Sequence, residues 1–152
     1  MKVPISVLVV IYKSNGEVLL IERADKAHFW QSVTGSLDSP DEDLALAAAR
    51  EVFEDTGIDV RSLTPGALIN MQHQIEYEIY PQWRHRYAPG VTRNCEHWFS
   101  LLVPNDIQIR LSPREHVAYQ WLPHKEAARV CFSPSNRDAI LQLFSASQVG
   151  TR

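Results

Sequence analysis

Residues 3–12, Val-Pro-Ile-Ser-Val-Leu-Val-Val-Ile-Tyr, are β-branched and nearly continuous in apolar side chains. A half-exposed strand would alternate apolar with polar residues, so this run reads as a strand buried on both faces. Ser14-Asn15-Gly16 then marks a hairpin turn, and Glu17–Arg23 returns as the partner strand. Phe29–Ser36 reads as a short strand running into a glycine turn. Residues 58–60 and 67–80 alternate partially, which predicts one or two half-exposed antiparallel strands. Glu96–Val103 reads as a central strand, and Arg114–Leu122 as a polar turn feeding a last one. Pro123–Val130 and Pro134–Ser145 are expected helices, the second with an apolar stripe of Ala139, Ile140, Leu143 and Phe144. The final residues are expected to fray. This order of elements predicts an α/β fold, a mixed sheet with helices on both faces.

The helix expected after the glycine turn carries the chemistry. Ser39 suits an N-cap, Pro40 the first helical position, and Glu42 a capping box with Ser39. Gly57 is the expected stop, which places the helix at Pro40–Thr56. At about 100° per residue, Leu46, Ala49, Val52 and Phe53 share the side expected to face the core. Glu51, Glu54 and Asp55 fall at i, i+3 and i+4 on another face. Like charges at that spacing repel unless a cation neutralises them, and hard divalent ions such as Mg²⁺ take carboxylate oxygens and bridge to phosphates. The plain alternative is a solvated acidic face with Arg50 pairing to Glu54.

A second cluster lies between the expected strands. Arg84, His85, Arg86 and Arg93 stand close together in a chain of net charge −3 and pI near 6.0. The planar fork of arginine suits phosphate oxygens, although an exposed basic loop would look the same. Arg23, at a strand end, is open to the same two readings. Trp30 could wall a planar ring or fill the core. Glu96 could point into a cleft or face solvent. His85, His97 and His116 are open to hydrogen-bond or acid roles.

At 152 residues the chain fits one domain with a proper core. Its net charge argues against coating nucleic acid. Val7–Ile11 is too short to span a membrane and is followed by no cleavage site. Cys95 and Cys131 form neither a C-x-x-C pair nor a disulfide framework, so free thiols and a cytoplasmic location are expected, with a monomer as the default state.

Gly35 through Ile58 resembles the Nudix box, G-x5-E-x7-R-E-U-x-E-E-x-G-U with U aliphatic. Arg50, Glu51, Val52, Glu54, Gly57 and Ile58 match, and Asp55 stands for the last glutamate. Counting forward from Gly35 reaches Asp41 at the first acidic position, whereas counting back from Arg50 reaches Glu42. The chain therefore carries one extra residue between the glycine and the helix, where a loop absorbs it cheaply. The resemblance implies a single Nudix domain over residues 1–152, folded as an α/β/α sandwich. It also implies Mg²⁺, with Mn²⁺ as a possible substitute, held by Glu51, Glu54, Asp55 and the Gly35 carbonyl.

Three further stretches, Phe29–Ser36, Arg84–Asn94 and Glu115–Leu122, are similar to the bacterial branch of the family that cleaves dihydroneopterin triphosphate to the monophosphate and pyrophosphate. That resemblance implies Glu115 as a further metal ligand or general base, rivalled by Glu51 with Arg50 orienting it. It implies phosphate or substrate contacts for Arg84, Arg86, Arg93 and Arg23, and ring contacts for Tyr87, Asn94 or Trp30. The expected partner is a small triphosphate. Hydrolysis of nucleoside triphosphates is the nearest alternative, and a binding or regulatory protein without turnover is a third.

Overall fold

The structure, a computed structural model, describes residues 1–150, with side chains through Ser145. The expected fraying of the chain end concerns residues at or beyond that limit and lies outside what is described. Seven strands form one sheet among the described residues: β1 (Ile5–Lys13), β2 (Glu17–Arg23), β3 (Trp30–Gln31), β4 (Val33–Ser36), β5 (Leu68–Glu78), β6 (Arg93–Val103) and β7 (His116–Pro123). The main path is β3-β2-β1-β6-β5, with β4 also on β1 and β7 on β2. Only β1 and β6 run parallel among these pairings, from Ile5↔Cys95 to Lys13↔Val103. The sheet is therefore mixed, with three helices: α1 (Leu44–Thr56), α2 (His124–Val130) and α3 (Pro134–Gly150).

The continuous apolar run in β1 has a direct cause in the period of two along a strand. Val7, Val9 and Ile11 enter one core with Ala47, Ala48 and Val52 of α1, while Leu8 and Val10 enter a second with Ala127, Ala139 and Ile140 of α2 and α3. β2 splits the same way, Leu19 and Ile21 against Val18 and Leu20. Each side chain has a helix layer to reach, so neither face tolerates a polar residue through the middle of these strands.

Three local expectations are corrected. α1 begins at Leu44 rather than Pro40, capped by the Asp43 carboxylate, which accepts the Leu46 N–H at 3.0 Å. Such a cap contributes about 1 kcal/mol. Ser39 instead closes a turn, its carbonyl taking the Glu42 N–H at 3.1 Å and its hydroxyl donating to Asp41 at 2.8 Å. The core side of α1 is Ala47, Ala48 and Val52, whereas Leu46 and Phe53 are 67% and 57% exposed. The small residues let the helix lie close on the sheet, and that rotation carries Glu51 and Asp55 inward. Residues 58–60 form no strand; Val60–Ser62 is a short 3-10 turn.

The strand expected over Phe29–Ser36 is broken at Ser32, so that β3 pairs with β2 and β4 with β1. Asn136 of α3 holds the break: its Oδ1 accepts the Ser32 N–H at 2.7 Å and its Nδ2 donates to the Ser32 hydroxyl at 2.9 Å. Residues 81–86, expected as a loop, coil into a 3-10 turn. Among the described residues no helix is long and apolar enough to cross a membrane.

Candidate active site

Arg50 is the hub of the α1 side. Its guanidinium donates to Glu51 Oε1 at 2.9 Å and Glu42 Oε1 at 3.0 Å, lies 3.2 Å from Asp38 Oδ2, and stands 3.7 Å from Glu54 Oε1. Glu42 also accepts the Asp38 N–H at 2.7 Å. It is a strut between the loop and Arg50 rather than half of a capping box, and its pKa is lowered, first by the hydrogen bond from Arg50.

The acids crowd one cleft. Glu51, Glu54, Asp55 and Glu115 line a cavity of about 710 Å³ together with Gly35 and His116. Burial pushes the Glu51 carboxyl up to about 7, reinforced by the negative charge of Glu54. Asp55, only 2% exposed, is raised by burial and then by Glu51 and Glu115. Ligand atoms of Asp55, Glu115 and His116 all lie within 4.8 Å of one another. His116 Nδ1 is buried without a hydrogen-bond partner. Inward carboxylates that raise one another, beside an orphaned ring nitrogen, fit a divalent cation: it would satisfy the nitrogen and cancel the repulsion.

Gly35 is required here for space rather than for its backbone angles. A Cβ at this position would overlap the Glu51 carboxylate, so β4 and α1 meet at that distance only with a glycine.

A second cavity, about 440 Å³, shares Lys2, Arg23, Gln31, Thr34, Gly35, Ser36 and Arg86 with the first. The two are ends of one cleft that passes β4 from the α1 side of the sheet towards α3. The cations stand at the junction. Arg23 is paired to Asp25 at 2.6 and 2.8 Å and lies over the Trp83 ring at 4.9 Å; Arg86 lies 5.8 Å from that ring and 4.0 Å from Asp25. Lys2 is brought beside them by its N–H, which donates to the Arg86 carbonyl at 2.8 Å. Although much of Lys2 is solvent-exposed, burial of its ammonium and then Arg86 and Arg23 push its pKa down. Three cations gathered at one place make a ready anion site.

The cleft thus brings together Glu51, Glu54, Asp55, Glu115, Gly35, Arg23, Arg86, Tyr87 and Asn94, with Arg50 behind the acids. It does not bring in three others. Arg84 is turned away, its Nε donating to the Ile79 carbonyl at 2.9 Å, and so holds the loop. Arg93 is exposed and lies 3.9 Å from Glu76 on the next strand. Trp30 packs against the α2–α3 core. His85 is exposed, and His97 sits 3.7 Å from the Cys95 sulfur. Lys2 is not singled out by the sequence, and His116 is open there only to hydrogen-bond or acid roles, not to a place among the metal ligands. Lys2 carries no local signal at all, whereas His116 adjoins Glu115 and only its burial marks it.

The chain resembles known proteins along nearly its whole length. The chain matches the NUDIX domain over residues 2–143. It is 49% identical over 144 residues to the dihydroneopterin triphosphate diphosphatase of Escherichia coli, covering 93% of this chain and 92% of that protein. It is 41% identical to the enzyme of the same name from Haemophilus influenzae, over 89% and 84% of the two chains. The solved structure of the E. coli dihydroneopterin triphosphate pyrophosphohydrolase superposes with a TM-score of 0.83 over 93% of this chain and 94% of that one. Divalent metal is in general use among hydrolases of this kind. With the acidic helix, the glycine that makes room for Glu51 and the match along nearly the whole chain, this protein belongs to the NUDIX domain family.

Proposed function

We propose that the protein hydrolyses dihydroneopterin triphosphate to dihydroneopterin monophosphate and pyrophosphate, with Mg²⁺ as the working ion and Mn²⁺ as a substitute. The observation that carries this reading is the two-ended cleft: acids at one end, three cations at the junction, and a ring-sized aromatic cavity at the other. The relatives named for that reaction, at 49% and 41% identity, support it.

In this reading Glu51, Glu54, Asp55 and Glu115 would hold the metal, with the Gly35 carbonyl as a further ligand and His116 beside them. An ion held there would supply charge neutralisation and polarisation of the phosphoryl oxygens. Lys2, Arg23 and Arg86 take the phosphate chain, which positions the scissile anhydride over the acids. Arg50 is a positioning residue that sets the Glu51 carboxylate. Glu51 or Glu115 takes the proton of the attacking water; the pH–rate profiles of Glu51→Gln and Glu115→Gln identify which, because loss of the base removes the acidic limb. Phosphoryl transfer asks for little beyond positioning and charge stabilisation, and this cleft offers both.

The protein acts as one domain over residues 1–152, on a small soluble substrate rather than nucleic acid or membrane, in the cytoplasm. Its two free thiols, Cys95 and Cys131, suit that compartment. The test is a triphosphate screen with product identification. Expected is pyrophosphate release with a kcat/KM for dihydroneopterin triphosphate well above those for dATP and dGTP. A clear preference for a nucleotide would replace the substrate. No turnover of any triphosphate with Mg²⁺ would make the protein a binding module.

A further inference from the structure

The end of the cleft away from the acids contains a group that the hydrolytic reading leaves unused. Glu96, on β6, is 4% exposed and lines the second cavity. It lies on the face of β6 that carries Trp98 and turns towards α3, opposite in sense to Phe99 on the α1 side. Its Oε1 accepts the Trp98 indole N–H at 3.1 Å, and Ser135 lines the same cavity. No cation pairs with it within ion-pair distance among the described residues. Burying a lone carboxylate is costly, and a glutamine would meet Trp98 equally well, so stability does not account for it.

Its neighbour points to the same task. Asn94, two residues before it and 1% exposed, donates from Nδ2 to the Ser6 hydroxyl at 2.8 Å and to the Tyr77 oxygen at 3.1 Å. That fixes the amide and leaves Oδ1 without a partner. The cavity floor is thus rich in acceptors, while Tyr80, Trp83 and Phe132 give it aromatic walls. The other carboxylates on this cavity, Glu78 and Asp138, are solvent-exposed. A carboxylate oxygen that holds one donor still has a free lone pair, so Glu96 can take two more. The complementary ligand is a flat ring whose edge presents two adjacent N–H donors.

We infer that Glu96 is the specificity-determining residue of this site, its carboxylate accepting the N3–H and 2-amino N–H of a 2-amino-4-oxopyrimidine ring, with the clamped Asn94 beside it. The inference rests on the substrate reading above and adds which atoms select the ring. A paired carboxylate-to-edge contact of this type discriminates by about 10-fold or more, because an oxo group in place of the amine sets oxygen against oxygen.

The test is binding, without turnover. Neopterin and its lumazine counterpart, which has oxygen in place of the 2-amino group, are titrated by fluorescence into the Mg²⁺-loaded protein and into Glu96→Gln. The expected result is neopterin about 10-fold or more tighter in the wild type, and a preference below about 3-fold in E96Q through loss of neopterin affinity. In turnover, E96Q raises KM for the pterin triphosphate more than it lowers kcat. Equal binding of the two rings by the wild type, no detectable binding of either, or an unchanged preference in a folded E96Q overturns the inference. If E96Q does not fold by circular dichroism, the wild-type pair decides alone. Ring discrimination without hydrolysis of the pterin triphosphate would overturn the proposed reaction and leave this inference standing; hydrolysis without discrimination would do the reverse.

Discussion

The two ends of the cleft are built on different principles. At the acid end, groups of one charge are forced together on a rigid helix, and the structure tolerates them through Arg50 and a room-making glycine. At the ring end, the walls are aromatic and a single buried carboxylate, held by the Trp98 indole N–H, sits beside the unpartnered Asn94 oxygen. The acid end holds charge in excess and awaits neutralisation; the ring end is nearly satisfied and awaits shape and two donors. Changes at the first should therefore act on kcat, and changes at the second on KM and on the choice of ring.

The largest expected effect is at the acid end. Glu54→Gln should lower kcat by about 100-fold or more, with an unchanged melting temperature because the side chain is exposed. Near-normal turnover at saturating Mg²⁺ would remove Glu54 from the metal site and blur the division. Gly35→Ala comes next: the added methyl must displace Glu51, so kcat should fall by about 10-fold or more, with a lower melting temperature. Arg86→Ala at the junction should raise KM by about 10-fold with little change in kcat or Mg²⁺ dependence. Arg84→Ala is its control, costing stability through the lost bond to Ile79 while KM stays put.

The acid end should also betray itself by pH in the metal-free protein. Glu51 in the folded state has its pKa raised to about 7 from 4.5, so between those values the folded state binds more protons than the unfolded one. Stability is then greatest on the acid side and falls as pH rises through that window. A melting temperature lower by on the order of 5 °C at pH 8 than at pH 5 in chelator is expected, recovered by Mg²⁺ and flattened in Glu51→Gln. The smallest effect is Arg93→Ala, whose exposed contact to Glu76 should leave both kinetics and melting within error.

The comparison also separates what sequence can disclose from what it cannot. Strands β1 and β2 were legible because burial on both faces leaves a continuous apolar run. The acids were legible because a helix repeats at a fixed angle. The helix start was misplaced because Ser39, Pro40 and Glu42 satisfy every cap rule while Asp43 does the capping. The inward face was misassigned because Leu46 and Phe53 are larger than Ala47 and Ala48, yet close packing on a sheet favours the smaller pair. Lys2 reaches the cleft only by pairing with a loop more than eighty residues later, and no local pattern announces that. Arg84, Arg86 and Arg93 look alike in sequence; a 3-10 turn points Arg86 into the cleft and Arg84 away from it, while Arg93 starts β6 exposed beside Glu76.

The paired bonds between Ser32 and Asn136 join positions separated by 104 residues. Residues 133–135, which open α3, complete the wall beside Glu96. Every residue lining the acid end lies at or before His116, whereas the ring pocket takes its far wall from Phe132, Ser133, Pro134 and Ser135. A chain halted before Ser133 would still carry Glu96 on β6 but would lack the wall that stands beside it. Ring selection thus draws on a longer span of the chain than metal binding does.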